Sequence, residues 1–188
     1  MKQFFLKTIL FLFTVAFYNC ENNDPQEQLP PITQTGANTF GAIVDGQVFI
    51  PKDKTGYYAP GGGRPRGLSI LGGNHSFVLQ AKNYEDIYIY IYIPTEIPEE
   101  ILYTFQNSPG VEYSLNSPNY AHIYSIVNDN KYLSFSSSGS ITFTHVNYNE
   151  GIYSGVFSVK LKNENDENDI IEILEGRFDF DIGTLNQD

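Results

Sequence analysis

The stretch Asp86-Ile87-Tyr88-Ile89-Tyr90-Ile91-Tyr92-Ile93 alternates without a break between two kinds of side chain. A pleated strand points successive side chains to opposite faces, so the isoleucines share one face while Tyr88, Tyr90 and Tyr92 share the other. β-Branched and aromatic side chains also suit extended backbone, and a 3.6-residue period scatters this pattern around a helix. The stretch therefore predicts a strand with its isoleucines turned to a core. The tyrosine face has two readings. Exposed, it stacks on sugar rings or docks a protein through rigid apolar rings with polar tips; covered, it is a second packing layer on a central strand.

The two-residue period recurs from residue 40 onward, and no window keeps the i, i+3, i+4, i+7 spacing of an amphipathic helix. Residues 40–44 and 47–50 flank Asp45-Gly46, a dipeptide suited to a type I′ hairpin turn, where both central residues take positive φ. Residues 120–127 and 131–136 bracket Asn128-Asp129-Asn130, and residues 141–147 and 152–161 bracket Tyr148-Asn149-Glu150-Gly151. Shorter runs lie at 68–71, 76–81 and 101–105. In the last run, 170–182, Phe178, Phe180 and Ile182 alternate with Arg177, Asp179 and Asp181, which predicts a sheet with one face in water. The expected fold is all-β, an antiparallel β-sandwich or partly closed barrel of about nine or ten strands joined by hairpins.

Ahead of this domain the composition changes twice. Lys2 and Lys7 flank the start of an apolar run over residues 8–18, too short for the roughly 20-residue helix that crosses a bilayer and suited to a signal-peptide core. The run ends in Ala16-Phe17-Tyr18-Asn19-Cys20, with bulky residues where an ordinary secretory cleavage site has small ones. Cys20 is the sole cysteine of the chain. It stands at the boundary between the apolar run and the polar Glu21-Asn22-Asn23-Asp24-Pro25, a position that resembles a bacterial lipobox. Residues 1–19 are read as a lipoprotein signal peptide, residues 20–38 as a lipidated Cys20 and flexible linker, and residues 39–188 as one domain. The linker contains three prolines and few apolar side chains, too few to offset the entropy of ordering. Two or more acyl chains on Cys20 hold a protein stably to a membrane, whereas one binds only marginally.

The 188 residues include 11 Lys and Arg against 22 Asp and Glu, a net charge of −11. Losing residues 1–19 removes Lys2 and Lys7 and deepens the charge by two. Binding to nucleic acid requires clustered cations on phosphates, so no nucleic-acid partner is expected. With one cysteine the chain makes no internal disulfide, and stability rests on packing.

Two further stretches, Thr35-Gly36-Ala37-Asn38-Thr39-Phe40-Gly41-Ala42-Ile43-Val44-Asp45-Gly46-Gln47-Val48-Phe49-Ile50-Pro51 and Gly155-Val156-Phe157-Ser158 with Glu175-Gly176-Arg177-Phe178-Asp179, resemble a family of uncharacterised lipoproteins from the Bacteroidota over about residues 35–182. The resemblance implies an outer-membrane lipoprotein of the cell envelope, periplasmic or surface-exposed, and brings no catalytic residues with it.

Catalytic patterns are scarce. His75, His122 and His145 lack the spacing of a zinc helix, and Glu164-Asn165-Asp166-Glu167-Asn168-Asp169 has Asp169 where a calcium loop needs its turn glycine, so neither a metal nor a cofactor is expected. The long loop over 52–67 carries Gly61-Gly62-Gly63-Arg64-Pro65-Arg66 but neither the dinucleotide nor the phosphate-loop signature. Arg64 and Arg66 suit a carboxylate or sulfate, and Tyr57 and Tyr58 stand beside them. The candidate binding residues are thus Tyr57, Tyr58, Arg64, Arg66, Tyr88, Tyr90 and Tyr92. The reading is a membrane-anchored binding or interaction module for a glycan, peptide or envelope protein. The alternative is an envelope hydrolase acting on glycans with carboxylates gathered from separate strands.

Overall fold

The computed structural model describes residues 24–54, 65–73, 76–95, 100–112 and 117–185. Cys20, Tyr57, Tyr58, Arg64 and His75 lie outside the described residues. Eleven antiparallel strands are described: β1 (Thr39–Val44), β2 (Gln47–Phe49), β3 (Leu68–Gly73), β4 (Ser76–Lys82), β5 (Ile87–Ile93), β6 (Leu102–Thr104), β7 (His122–Val127), β8 (Asn130–Leu133), β9 (Gly139–Asn147), β10 (Ile152–Asn163) and β11 (Ile170–Asp181). A helical turn, Ile182–Leu185, ends the described chain. The sheet curls into a half-barrel, the partly closed form of the expected architecture.

Strand order is β2-β1-β11-β10-β8-β7-β5-β4-β3, with β9 on β10 and β6 on β9. The branch lies on β10, whose residues 152–159 pair with β9 while Lys162 and Asn163 pair with β8. Asp45 and Gly46 take φ of 48° and 78°, and Asn128 and Asp129 take 49° and 65°, the left-handed values that make these tight turns. Pairing slips between Gly41 and Ile43 on β1 and between Phe157 and Val159 on β10, and Glu175 on their common neighbour β11 takes φ 53°. Such bulges bend long strands and increase their twist, which lets one sheet wrap around a core.

Ile87, Ile89, Ile91 and Ile93 all enter the main core, with Phe40, Phe49, Phe77, Phe143, Phe157, Phe178 and Phe180. The tyrosine face is covered as well. Tyr90 is 0% exposed and Tyr92 4%, in a second cluster with Val78 and Tyr124, while Tyr88 is half-buried at its margin. The chain after β6 runs beside this layer: Gln106 N–H donates to Ala121 O and Ser108 N–H to Ser134 O, both at 2.9 Å, and the Tyr88 hydroxyl donates to Glu112 Oε1 at 3.0 Å. The exposed-stripe reading of Tyr90 and Tyr92 is therefore corrected to a second packing layer.

Residues 24–38 also differ from expectation. In place of a flexible linker they form a strap, with a 3₁₀ turn at Pro25–Gln28, a buried Leu29 and a run from Thr33 to Asn38 along β11. A second correction follows, because Arg177 and Asp179 on the face expected to be wet are 9% and 1% exposed, Asp179 beneath this strap and Arg177 bonded to Glu175.

Candidate functional site

Asp179 fastens the strap. Its Oδ2 accepts from Thr33 Oγ1 at 2.6 Å, Thr35 N–H at 3.0 Å and Ala37 N–H at 3.1 Å, and its Oδ1 accepts from Gly36 N–H at 2.9 Å and Ser154 Oγ at 2.7 Å. Gly36 takes φ +71°, and a Cβ there would lie 2.7 Å from Asp181 Cβ, so the turn that aims three successive amides at one carboxylate requires glycine. Burial pushes the Asp179 carboxyl up, but the bonds from Thr33, Ser154 and the Thr35 and Ala37 amides outweigh it and hold the group well below the usual carboxylate range.

The strap forms one wall of a cleft of about 640 Å³. Gln28, Leu29 and Pro30 come from the strap, Thr39 and Phe40 from β1, Ile50, Pro51 and Asp53 from the end of β2 and beyond, Arg66 and Leu68 from the approach to β3, and Thr184 and Leu185 from the C-terminal turn. The cleft thus lies at the seam where the chain after β2 meets the end of β4 and the approach to β3. Lys52 N–H donates to Lys82 O at 3.1 Å across this seam, and Lys54 N–H to Pro65 O at 2.9 Å. Gly67 donates its N–H to Asp53 Oδ1 at 2.9 Å, and a Cβ on Gly67 would fall 2.4 Å from Lys52 O, so the two ends of the 52–67 loop meet only over a glycine.

The lining joins apolar surface to a few polar groups. Leu29, Phe40, Ile50, Leu68 and Leu185 supply the former, and Asn38, Asp53, Arg66 and Thr184 the latter. The Arg66 guanidinium donates to Leu185 O, and the Tyr84 hydroxyl donates to Arg66 O at 2.9 Å. The volume lies in the range of small-molecule sites, and the lining is divided about evenly between polar and apolar surface. Among the described residues that line the cleft, Asp53 is the one carboxylate and there is no histidine.

Of the residues singled out from the sequence, Arg66 alone is described at this cleft. Tyr88, Tyr90 and Tyr92 belong to the packed layer, and Tyr57, Tyr58 and Arg64 fall outside the described residues within a loop whose two ends border the cleft. Asp179 and the strap went unnoticed in the sequence. The available signal was Thr33-Gln34-Thr35-Gly36, a cluster of hydroxyls and a glycine before a strand, which can clasp a carboxylate as readily as it can float in water. The acidic hairpin is held by its own bonds, with Asp169 Oδ2 accepting from Asn163 Nδ2 at 2.7 Å and from the Tyr132 hydroxyl at 3.0 Å. No group of three or more metal-ligating side chains occurs among the described residues.

His122 sits inside the tyrosine layer, 1% exposed, with its ring stacked on Tyr92 at 4.7 Å. Burial pulls its pKa down to about 4, against a smaller upward pull from the Tyr120 carbonyl. The unfolded chain takes up this proton near pH 6.5, while the folded chain resists until about pH 4. The stability that neutral His122 contributes is therefore complete above pH 6.5 and is lost as pH falls toward 4. Urea unfolding at pH 7 and pH 5 is expected to differ by about 2 kcal/mol from this group alone, and His122→Phe should remove that difference. An undiminished difference in the variant rules out His122 as its source.

Searched against family models, curated proteins and solved structures, the chain finds no match.

Proposed function

We propose that this chain is a lipid-anchored protein of the cell envelope that binds a small amphipathic ligand in the cleft between strap and sheet seam. The observation that carries the binding reading is the cleft itself, with apolar walls meeting one guanidinium and one carboxylate. The anchor reading is supported by Cys20, which follows the apolar run over residues 8–18. No helix among the described residues is long and apolar enough to cross a membrane. A glycan hydrolase needs two carboxylates across a cleft, and the described lining offers Asp53 alone, which favours binding over the hydrolytic alternative.

Metabolic labelling with radioactive palmitate tests the anchor. Label is expected on the parent chain and should vanish in Cys20→Ser; label retained in that variant refutes Cys20 as the acylation site. Leu68→Glu tests the cleft, placing a charge on its apolar wall at a half-buried position. A ligand found by screening small amphiphiles against the parent chain should bind the variant at least about tenfold more weakly, since burying an unpaired charge costs more than the 1.4 kcal/mol of one decade. Unchanged binding by a folded Leu68→Glu chain places the ligand elsewhere.

A further inference from the structure

The strap is attached to the half-barrel differently from every strand in it. Strands are joined by backbone ladders, whereas the strap is joined through side chains. Besides the Asp179 bonds, Gln26 Nε2 donates to Glu175 Oε2 at 3.2 Å, Gln34 Nε2 to Thr144 O at 3.0 Å, and Asn38 Nδ2 to Thr184 Oγ1 at 2.9 Å. Its apolar hold is small: Leu29 is 7% exposed, but Ile32 is 61% exposed. Leu29 and Pro30 seat over Gly41, where a Cβ would come within 2.5 Å of Pro30 Cδ, 3.0 Å of Ile50 Cδ1 and 3.1 Å of Leu29 Cδ2. A segment with few buried apolar contacts and hydrogen bonds concentrated on one group opens at a lower free energy than the ladders beneath it.

We infer that residues 24–38 are a detachable wall of the cleft, opening and closing while the half-barrel stays folded, and that Asp179 is the positioning residue that keeps it shut. This inference rests on the reading of the cleft as a binding site and adds its regulation. Leu29 and Pro30 are lining residues supplied by the strap, so an open strap leaves Phe40 and Ile50 without their facing wall. A ligand that touches both sides binds the closed form alone, and by linkage it holds the strap down as strongly as the strap holds it. Asp179 touches no ligand in this arrangement. It acts through Thr33, Thr35, Gly36 and Ala37, all on the segment that leads back toward Cys20.

Hydrogen–deuterium exchange on the full chain tests this without any ligand, so its outcome is separable from that of the binding measurements. The Thr35 and Ala37 amides are expected to exchange faster than those of β10 and β11 in the parent chain. Asp179→Asn keeps the side-chain shape but replaces one acceptor oxygen with a donor, and should speed the strap amides at least about tenfold, with rates in β10 and β11 unchanged. Gly36→Ala, a change on the strap whose methyl would press on Asp181 and Ile152, should likewise speed the strap amides and decides the matter alone if Asp179→Asn does not fold. The chain has no tryptophan, so Ile50→Trp provides a single reporter opposite Leu29. Its emission should shift to the red when either strap variant is added. Strap amides that exchange in step with β11, or reporter emission that ignores a loosened strap, would overturn the inference.

Discussion

Ile89→Asp is expected to leave no cooperatively folded protein at 25 °C. Ile89 is 0% exposed and sits in mid-strand in β5, paired across with Ala81 on β4 and Ser125 on β7, the isoleucine face turned into the main core. Removing the side chain forfeits about 2–5 kcal/mol of transfer and packing free energy. An unpaired carboxylate in the same space adds several more, whether it stays charged or takes up a proton to escape the penalty. The sum consumes most or all of the roughly 5–15 kcal/mol by which a domain of this size is stable. The Ser125 hydroxyl across the strand already donates to Tyr88 O at 2.9 Å, so the new carboxylate gains little from it. Far-ultraviolet circular dichroism with urea titration is the measurement, and a sigmoidal transition near the parent midpoint contradicts the assignment of Ile89 to the core.

Tyr90→Ser, one residue along and on the opposite face, should be nearly as damaging. Tyr90 is also 0% exposed, stacked on Tyr124 with ring centroids 4.8 Å apart and 6.4 Å from His122. Truncating a buried ring of this kind costs about 3–5 kcal/mol. Tyr88→Ser should cost markedly less, since Tyr88 is only half-buried and reaches Glu112 at the margin of the layer. Urea midpoints in the order parent, Tyr88→Ser, Tyr90→Ser are expected. Equal and slight effects of both serine variants would mean that the tyrosine face is open to solvent.

This contrast marks how far the sequence could be read. Alternation in residues 86–93 assigns the faces of β5, and Asp45-Gly46 announces its hairpin, because both depend on backbone geometry within a few residues. What lies over a face depends on segments far away in the chain. The tyrosine layer is bordered at Tyr88 by residues that follow β6, and Asp179 is dried by a strap more than 140 residues earlier. Neither segment has a periodicity of its own. A polar stretch with scattered prolines composes a loose linker and a docked strap equally well until one buried carboxylate is found at the centre of its amides. The cleft was legible only at its rim, through Arg66 and the unusual length of the 52–67 loop, because its walls come from five separated parts of the chain.

The docked strap also bears on how far the body can stand from a bilayer. A floppy span of 18 residues would have given the half-barrel room to drift. With the strap clasped, the slack between Cys20 and Asp24 amounts to four residues, at most about 14 Å fully stretched, about twice the depth of the headgroup layer of one leaflet. On the proposed acylation of Cys20, the leash is so short that the protein rides on the lipid heads with little freedom to tumble. Its cleft, walled in part by Gln28, Leu29 and Pro30, then stays near the lipid surface.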